Sequence, residues 1–473
     1  MKGNLKNIIF KSLLLMLVTF MAACKDDLPG PLNTEDKMTV LKSIKLVSAG
    51  EAGNEVLEGT VDEQTKMVNF PRIDTLTDFS DLRFEVELSD GAQLDKESYS
   101  IEFQEGQSSN SFVLKVVNGE RFREYIVRLR LLIPLFGADF EKGQVYDFSA
   151  NPIGNPAYES FVGLNTRGSG FDGENVLVID RGGLGPHLLK VEDLKENNTN
   201  PIPLNISGVT GGTFPYNMGS VVNGHVYMAS LSTSGTNPLR VYHWEDPNEA
   251  PEMIIDLLPG TIGGAGARHG DNFSISLDNN GDGYIYFIAE GSAALRFTIS
   301  NYTQVTDTRA VNLPSNYGQW SSYLQAGTGE YFFVTDNLKP VTLVNAGGSA
   351  AMALSSSALP TNLTDIRVVE FNEERYLMGV TVARSGSETA NLLVYDITRG
   401  ADLVEALNNF NDNPQSAVFD YNITSTTNIA PGAQTGFKVV KDEDGNDDKL
   451  LLYAAHADAG FAIIEFSKKE LDD

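Results

Sequence analysis

The sequence predicts an all-β chain, with an N-terminal immunoglobulin-like β-sandwich over residues 38–133 and a six- or seven-bladed β-propeller over 134–473. Three observations carry this reading. Apolar and polar residues alternate with period two through short segments bounded by Gly, Asn, Asp and Ser, as half-buried strands do. No helix-period segment of useful length competes within 38–133. Beyond Pro134 a strand–turn–strand unit recurs, most of its turns falling about 45 to 60 residues apart, the period of a four-stranded propeller blade.

The first residues set an address. Lys2, Lys6 and Lys11 precede an apolar run from Leu13 to Phe20, closed by Ala22 and Ala23, the layout of an export signal over residues 1–23. The run is too short to stay as a spanning helix. Cys24 follows and is the only cysteine, so the chain offers neither a disulfide nor a cysteine metal site. Small residues directly before a cysteine resemble the bacterial lipoprotein signal, which implies acylation of Cys24. Lys25-Asp26-Asp27 resembles the sorting signal that carries Bacteroidota lipoproteins to the outer face of the outer membrane. The resemblance implies a lipid-anchored protein facing the cell exterior, its membrane partner reached through acyl chains. Residues 24–37 hold two prolines, a glycine and many charges, and read as a tether.

Loss of residues 1–23 removes three lysines and no acids, taking the formal charge from −28 to −31. Such a surface excludes nucleic acid as a partner, because that binding needs Lys and Arg to displace counterions.

From residue 38 onward each element can be justified in turn. Leu82-Arg-Phe-Glu-Val-Glu-Leu88 alternates strictly and ends in Ser89-Asp90-Gly91. Phe112 to Val117, Asn118-Gly119 and Tyr125 to Leu131 form a hairpin signal, since Asn-Gly accepts the positive φ of a tight turn. About seven short strands in under 100 residues suit a sandwich. The recurring unit of the second region includes Gly173 to Ile179, Ser220 to Ala229, Phe273 to Ile288, Tyr323 to Val334, Arg367 to Gly379 and Phe437 to Tyr453. Residues 134–160 are expected either to complete the last blade or, with 400–431, to build a seventh.

Propeller geometry sorts the polar residues. First-to-second strand turns lie on one face; blade-to-blade connections lie on the other, where ligand sites are expected. On that second face fall Tyr216 and Asn217, then Arg268, His269 and Asp271, then Tyr317, Gln319 and Trp320. Arg181, His187, His456 and Asp458 join them. Aromatic faces, amides and carboxylates suit sugar rings, through C–H stacking and directional hydrogen bonds. Asp271 and His269 are the candidate acid and base for catalysis, although no paired-carboxylate arrangement is readable. Asp278-x-Asn280-x-Asp282-Gly283 resembles a calcium loop, yet its twelfth position is Ala289 rather than glutamate and it joins first and second strands, so a plain hairpin turn is the stronger expectation.

The chain as a whole resembles Bacteroidota surface lipoproteins in which an immunoglobulin-like module follows the lipidated cysteine and a propeller of uncharacterised function completes the chain. That resemblance implies glycan capture, with an outer-membrane transporter as a partner. The expected function is noncatalytic glycan binding with the sandwich as spacer. The alternatives are a propeller enzyme on oligosaccharides or uronates and a protein scaffold for the transporter. Asp74-Thr75-Leu76 further resembles the O-glycosylation signal of that phylum.

Overall fold

In a computed structural model the described residues are 37–104, 107–132, 135–149, 158–161, 165–327, 329–383, 388–424 and 432–470. The signal, Cys24 and the tether through residue 36 lie outside them. The chain divides into two compact units, Met1–Pro134 and Leu135–Asp473. Among the described residues no helix is long and apolar enough to cross a membrane.

Eight strands build the first unit into one hydrogen-bonded sheet. Its path runs Phe84–Leu88, Leu41–Ala49, Glu55–Asp62, Met67–Asn69, Arg121–Leu132, Ser109–Asn118 and Gln93–Leu94, with Ile73–Asp74 also paired to Arg121–Leu132. Met67–Asn69 runs parallel to Arg121–Leu132, and the other ladders of the path are antiparallel. Leu41, Ile44, Leu46, Val68, Leu114, Val116, Tyr125 and Val127 share one buried core, so the sheet curls around a single apolar centre. The sequence suggests two packed sheets, whereas the ladders join all eight strands in one. The alternating segment behaves as its period requires: Phe84, Val86 and Leu88 pack on the core while Glu85 and Glu87 stay exposed. The hairpin forms one residue later than the Asn-Gly pair suggests. Asn118 pairs with Arg121, leaving Gly119 and Glu120 as the loop with Gly119 at φ 61°, so glycine occupies the first loop position and Asn118 ends the strand.

The second unit is six four-stranded antiparallel sheets. Their innermost strands are Thr166–Phe171, Phe214–Val222, Ser274–Leu277, Ser322–Gln325, Leu363–Phe371 and Ala433–Lys441, and each touches the next around a closed ring. Each seam between neighbouring blades has its own apolar core. Leu177 and Ile179 meet Val226 and Met228 between blades one and two, and Tyr286 and Ile288 meet Phe332 and Val334 between blades three and four. Both faces of a blade therefore pack in seams: Val176 and Val178 of blade one face blade six, while Leu177 and Ile179 face blade two.

Six blades, not seven, close the ring. The early segment supplies Gln144–Ser149, the outermost strand of the last blade, paired antiparallel from Gly460↔Ser149 to Glu465↔Gln144. Phe148 is buried and stacks on Phe461 at 5.2 Å between ring centroids. Gly460 sits at φ 104°, and a Cβ there would lie 2.2 Å from the Phe148 carbonyl oxygen, so the closing ladder requires glycine. The later segment gives a helix, Leu403–Asp412, and the outermost strand of blade five, Phe419–Thr424. Asp402 caps that helix by accepting from the Glu405 amide, while the Glu405 side chain accepts from Ala401 N just before the cap, and this pair of bonds starts a helix inside an all-β domain. Its Leu407 and Phe410 are buried in the seam between blades four and five.

Candidate functional site

All six innermost strands run from the blade-connection face to the turn face, so residues at equivalent points of each strand form rings around the axis. Along that axis lies a channel of two unequal parts. On the turn face a vestibule of about 490 Å³ is lined from all six blades. Its wall carries Ser169, Ser220, Ser274, Ser276, Gln325 and Thr435, interspersed with Phe171, Phe273, Leu324 and Phe437. Tyr286, its buried hydroxyl without a hydrogen-bond partner among the described residues, lines the vestibule as well. On the blade-connection face the channel holds about 20 Å³, little more than a water. The two parts share Phe273, Ser274, Leu324, Asp365 and Gln434, which form the waist.

Asp365 is the central polar group of that waist. It has φ 51°, an uncommon conformation for a residue with a side chain, at a bulge where the pairing with the second strand of blade five shifts register. The bulge turns Asp365 across the axis. Its amide donates to Ser322 Oγ of blade four at 2.9 Å, and its Oδ2 accepts from Thr435 N of blade six at 2.6 Å. The Thr435 hydroxyl lies 2.6 Å from the Asp365 carbonyl oxygen and 2.8 Å from Oδ2, and accepts from Arg367 Nε at 3.0 Å. Arg367 Nη2 stands 3.7 Å from Oδ2. Burial raises the Asp365 carboxyl above its ordinary range, with Arg367 and Thr435 pulling the other way.

The residues singled out from sequence divide into three groups. Asp271 and Trp320 line the narrow mouth, as do Gln319 and Asn272. Asp271 is held by Arg268 in a two-point pair, Nε to Oδ2 at 2.5 Å and Nη2 to Oδ1 at 2.9 Å, and Trp320 is buried. Together they crowd this end of the channel, which is why the roomier opening lies on the turn face, opposite to the face expected. Arg181 stacks on the half-exposed Phe214 ring at 4.3 Å, near Tyr216 and Arg167; burial, aided by the Arg167 charge, lowers the Arg181 pKa.

The third group is structural. Asn217 donates to the Gly270 carbonyl at 2.6 Å and joins blade two to the approach of blade three. His187 is buried between Tyr158 OH at 3.0 Å and the Gly185 carbonyl at 2.7 Å. His269 is fully buried and lines neither part of the channel; its ring faces the backbone of Ala265 and Gly266 without a hydrogen bond of good geometry, and burial pushes its pKa down to about 4. His456 is also buried, its Nδ1 near the Ala457 carbonyl. Asp271 and His269 therefore do not share a cavity as an acid and a base.

The loop resembling a calcium site spends its oxygens on its own turn. Asp278 Oδ1 accepts from the amides of Asn280 and Asp282, and Asp282 Oδ1 accepts from Ser300 Oγ and Asn301 N. Among the described residues no three acidic, His or Cys side chains are grouped as metal ligands. Thr75 lies at an exposed turn, with Asp74 Oδ1 accepting from the Leu76 amide.

Asp365, Thr435 and Gln434 were not singled out by sequence. The available signal was small polar residues recurring on the innermost strand of unit after unit, Ser169, Ser220, Ser274 and Thr435, with seam-facing apolar neighbours.

Fold and channel define a class: an all-β protein whose six-bladed propeller encloses a polar axial vestibule. Residues 26–469 match the family described as a domain of unknown function, DUF4623, and the chain belongs to that family. It is similar to the crystal structure of a DUF4623 family protein from Bacteroides eggerthii DSM 20697, with 38% identity, a TM-score of 0.76, and coverage of 92% of this chain and 99% of that one. An endo-arabinase from Bacteroides thetaiotaomicron VPI-5482 matches at 11% identity and a TM-score of 0.32, covering 66% of this chain and 96% of that one. The propeller domain of Doa1 matches at 10% identity and a TM-score of 0.35, covering 80% and 98%. Likeness at that level carries nothing about activity. No curated protein matches the chain.

Proposed function

We propose that this protein is a noncatalytic glycan-binding protein that takes its ligand in the axial vestibule. The observation behind this is the vestibule wall, in which hydroxyls, amides and aromatic rings from five blades, with Asp365, Arg367 and Glu370 from blade five, surround a volume within the range of small-molecule sites. Hydrolysis of a glycosidic bond calls for two carboxylates set across the ligand. The acids of the vestibule are not set as such a pair: Asp172 accepts from the amides of Glu174, Asn175 and Gly224, Glu370 stands at the exposed rim beside Arg375, and only Asp365, tied to Thr435 through Oδ2, reaches the floor. Binding without chemistry fits that arrangement.

A glycan array probed with the purified full-length chain tests the reading. Ser276→Trp fills the vestibule from an innermost strand and is expected to abolish any binding found, while Trp320→Ala at the opposite mouth leaves it. Binding unaffected by Ser276→Trp would remove the ligand from the vestibule.

We further infer that Cys24 is acylated and that Lys25-Asp26-Asp27 directs the protein to the exterior of the outer membrane, with the N-terminal unit as an immunoglobulin-like spacer. An outer-membrane transporter is the partner this location suggests. Cys24→Ala is expected to move the protein from the membrane fraction to the soluble fraction, and protease added to intact cells is expected to degrade the parent protein. Membrane association unchanged by Cys24→Ala would overturn the anchor.

A further inference from the structure

Resting on the glycan-binding reading, we propose that the vestibule is an end-reading well: it seats one uncharged terminal sugar of a glycan chain against Asp365 and Arg367, and the rest of the chain leaves over the rim. Among the described residues the channel has one roomy opening: the cavity on the far side of the waist holds about 20 Å³, enough for water but not for a sugar ring. A chain therefore cannot thread through, and an internal segment cannot reach the floor without its neighbours meeting the wall on both sides.

The floor has the chemistry of a hydroxyl pair. Asp365 Oδ2 is occupied by Thr435, while Oδ1 has no partner among the described residues. Arg367 spends Nε on Thr435 and keeps about 31% of its side chain exposed on the vestibule wall. An acceptor and a donor thus stand side by side, and neighbouring sugar hydroxyls answer both, one donating to the carboxylate and the next accepting from the guanidinium. Arg367 and Asp365 stand as an acid–base pair at 3.7 Å, so the floor offers hydrogen-bonding groups with little net charge, which suits an uncharged sugar. Links to Ser322 and Thr435 fix the floor across blades four, five and six before the ligand arrives, which reduces the ordering that binding must impose.

At the rim the wall changes character, to Asp172, Asn223, Glu370 and Lys438. These residues are solvated and suit the departing chain rather than a desolvated contact.

The experiment takes the chain type that binds on the array and presents it to the full-length protein in three forms: free, with the hydroxyls of its terminal sugar methylated, and cyclised so that it has no end. Titration calorimetry is expected to give binding for the free form and at least about a tenfold loss for the other two, the scale of leaving a buried hydrogen-bonding group unmatched. Asp365→Asn keeps the shape and the positive φ, which asparagine tolerates, and is expected to weaken the free form about tenfold with the thermal midpoint little changed. Equal affinity for free and cyclised chains would overturn end reading while leaving glycan binding intact. No binding to any chain on the array would instead overturn the glycan reading, and this proposal with it. If Asp365→Asn unfolds the protein, Ser276→Phe narrows the well from another blade, and full affinity in that variant counts against the proposal.

Discussion

Replacing Phe148 by alanine probes how the propeller is held shut. Phe148 lies on Gln144–Ser149, the one strand of the last blade that comes from the start of the domain, and it is 4% exposed. Its ring stacks on Phe461, itself in contact with Tyr158, Phe161 and Tyr453. Truncation removes the ring from a packed seam whose walls are strands of two blades and cannot collapse fully, so the cost is about 3–5 kcal/mol. In a domain of this size each kcal/mol moves the thermal midpoint by roughly 2 °C, which predicts a fall of about 6–10 °C. Gln144→Ala, exposed at the other end of the same strand, is the control and is expected to shift the midpoint by about 1 °C or less. Circular dichroism melts of the full chain measure both, and a Phe148/Phe461 double-mutant cycle is expected to return a coupling of about 0.5–1.5 kcal/mol. A Phe148→Ala midpoint indistinguishable from that of Gln144→Ala would refute closure by this strand.

Other outcomes can be stated briefly. Asp402→Ala removes the cap of Leu403–Asp412 and should lower stability by about 1 kcal/mol in urea titration, with Asp402→Asn recovering most of it. Gly168→Ala places a methyl 2.5 Å from the Met218 Cα, backbone against backbone between blades one and two, and should cost about 1–3 kcal/mol or more in the same titration. All five histidines have pKa values lowered by burial, His243 and His269 to about 4. A base held neutral in the fold loses stability as pH falls from its unfolded pKa near 6.5 towards its folded value, so the thermal midpoint should decline between about pH 6.5 and 4. His243→Gln, removing the ring 2.8 Å from His225, should make that decline shallower. Calcium or EDTA should move the midpoint by less than about 1 °C, because the Asp278 and Asp282 carboxylates already serve their own turn; a rise of several degrees with calcium would overturn that account.

The blade hairpins were legible because they obey local rules. Asn223-Gly224 and Asp278-to-Gly283 are turn sequences flanked by alternating strands, and each forms the first hairpin of its blade. The blade number was not, because it depends on Gln144–Ser149 pairing with a strand more than 300 residues away, and no local pattern records that pairing. The helix Leu403–Asp412 was readable in principle from Asp402 and Glu405, a capping signal overlooked in a chain of strands. The site was less legible. Sequence favours conspicuous residues such as Trp320 and the histidines, whereas the structure buries His187 and His269 as packing groups and lines the roomy end of the channel with serines and threonines. Asp365 owes its place to a bulge and a positive φ, which no preference of its neighbours announces.

Gln144–Ser149 is made first and used last. Its partner, Gly460–Ser467, emerges only at the far end of the chain, so the strand must wait unpaired through the synthesis of five complete blades. Joining ends so distant carries a chain-entropy cost on the order of 5 kcal/mol, met only when the final hairpin arrives. Truncation near the C-terminus should therefore release the opening strand as well, and a protein cut short by a few dozen residues would expose both raw edges of the ring at once.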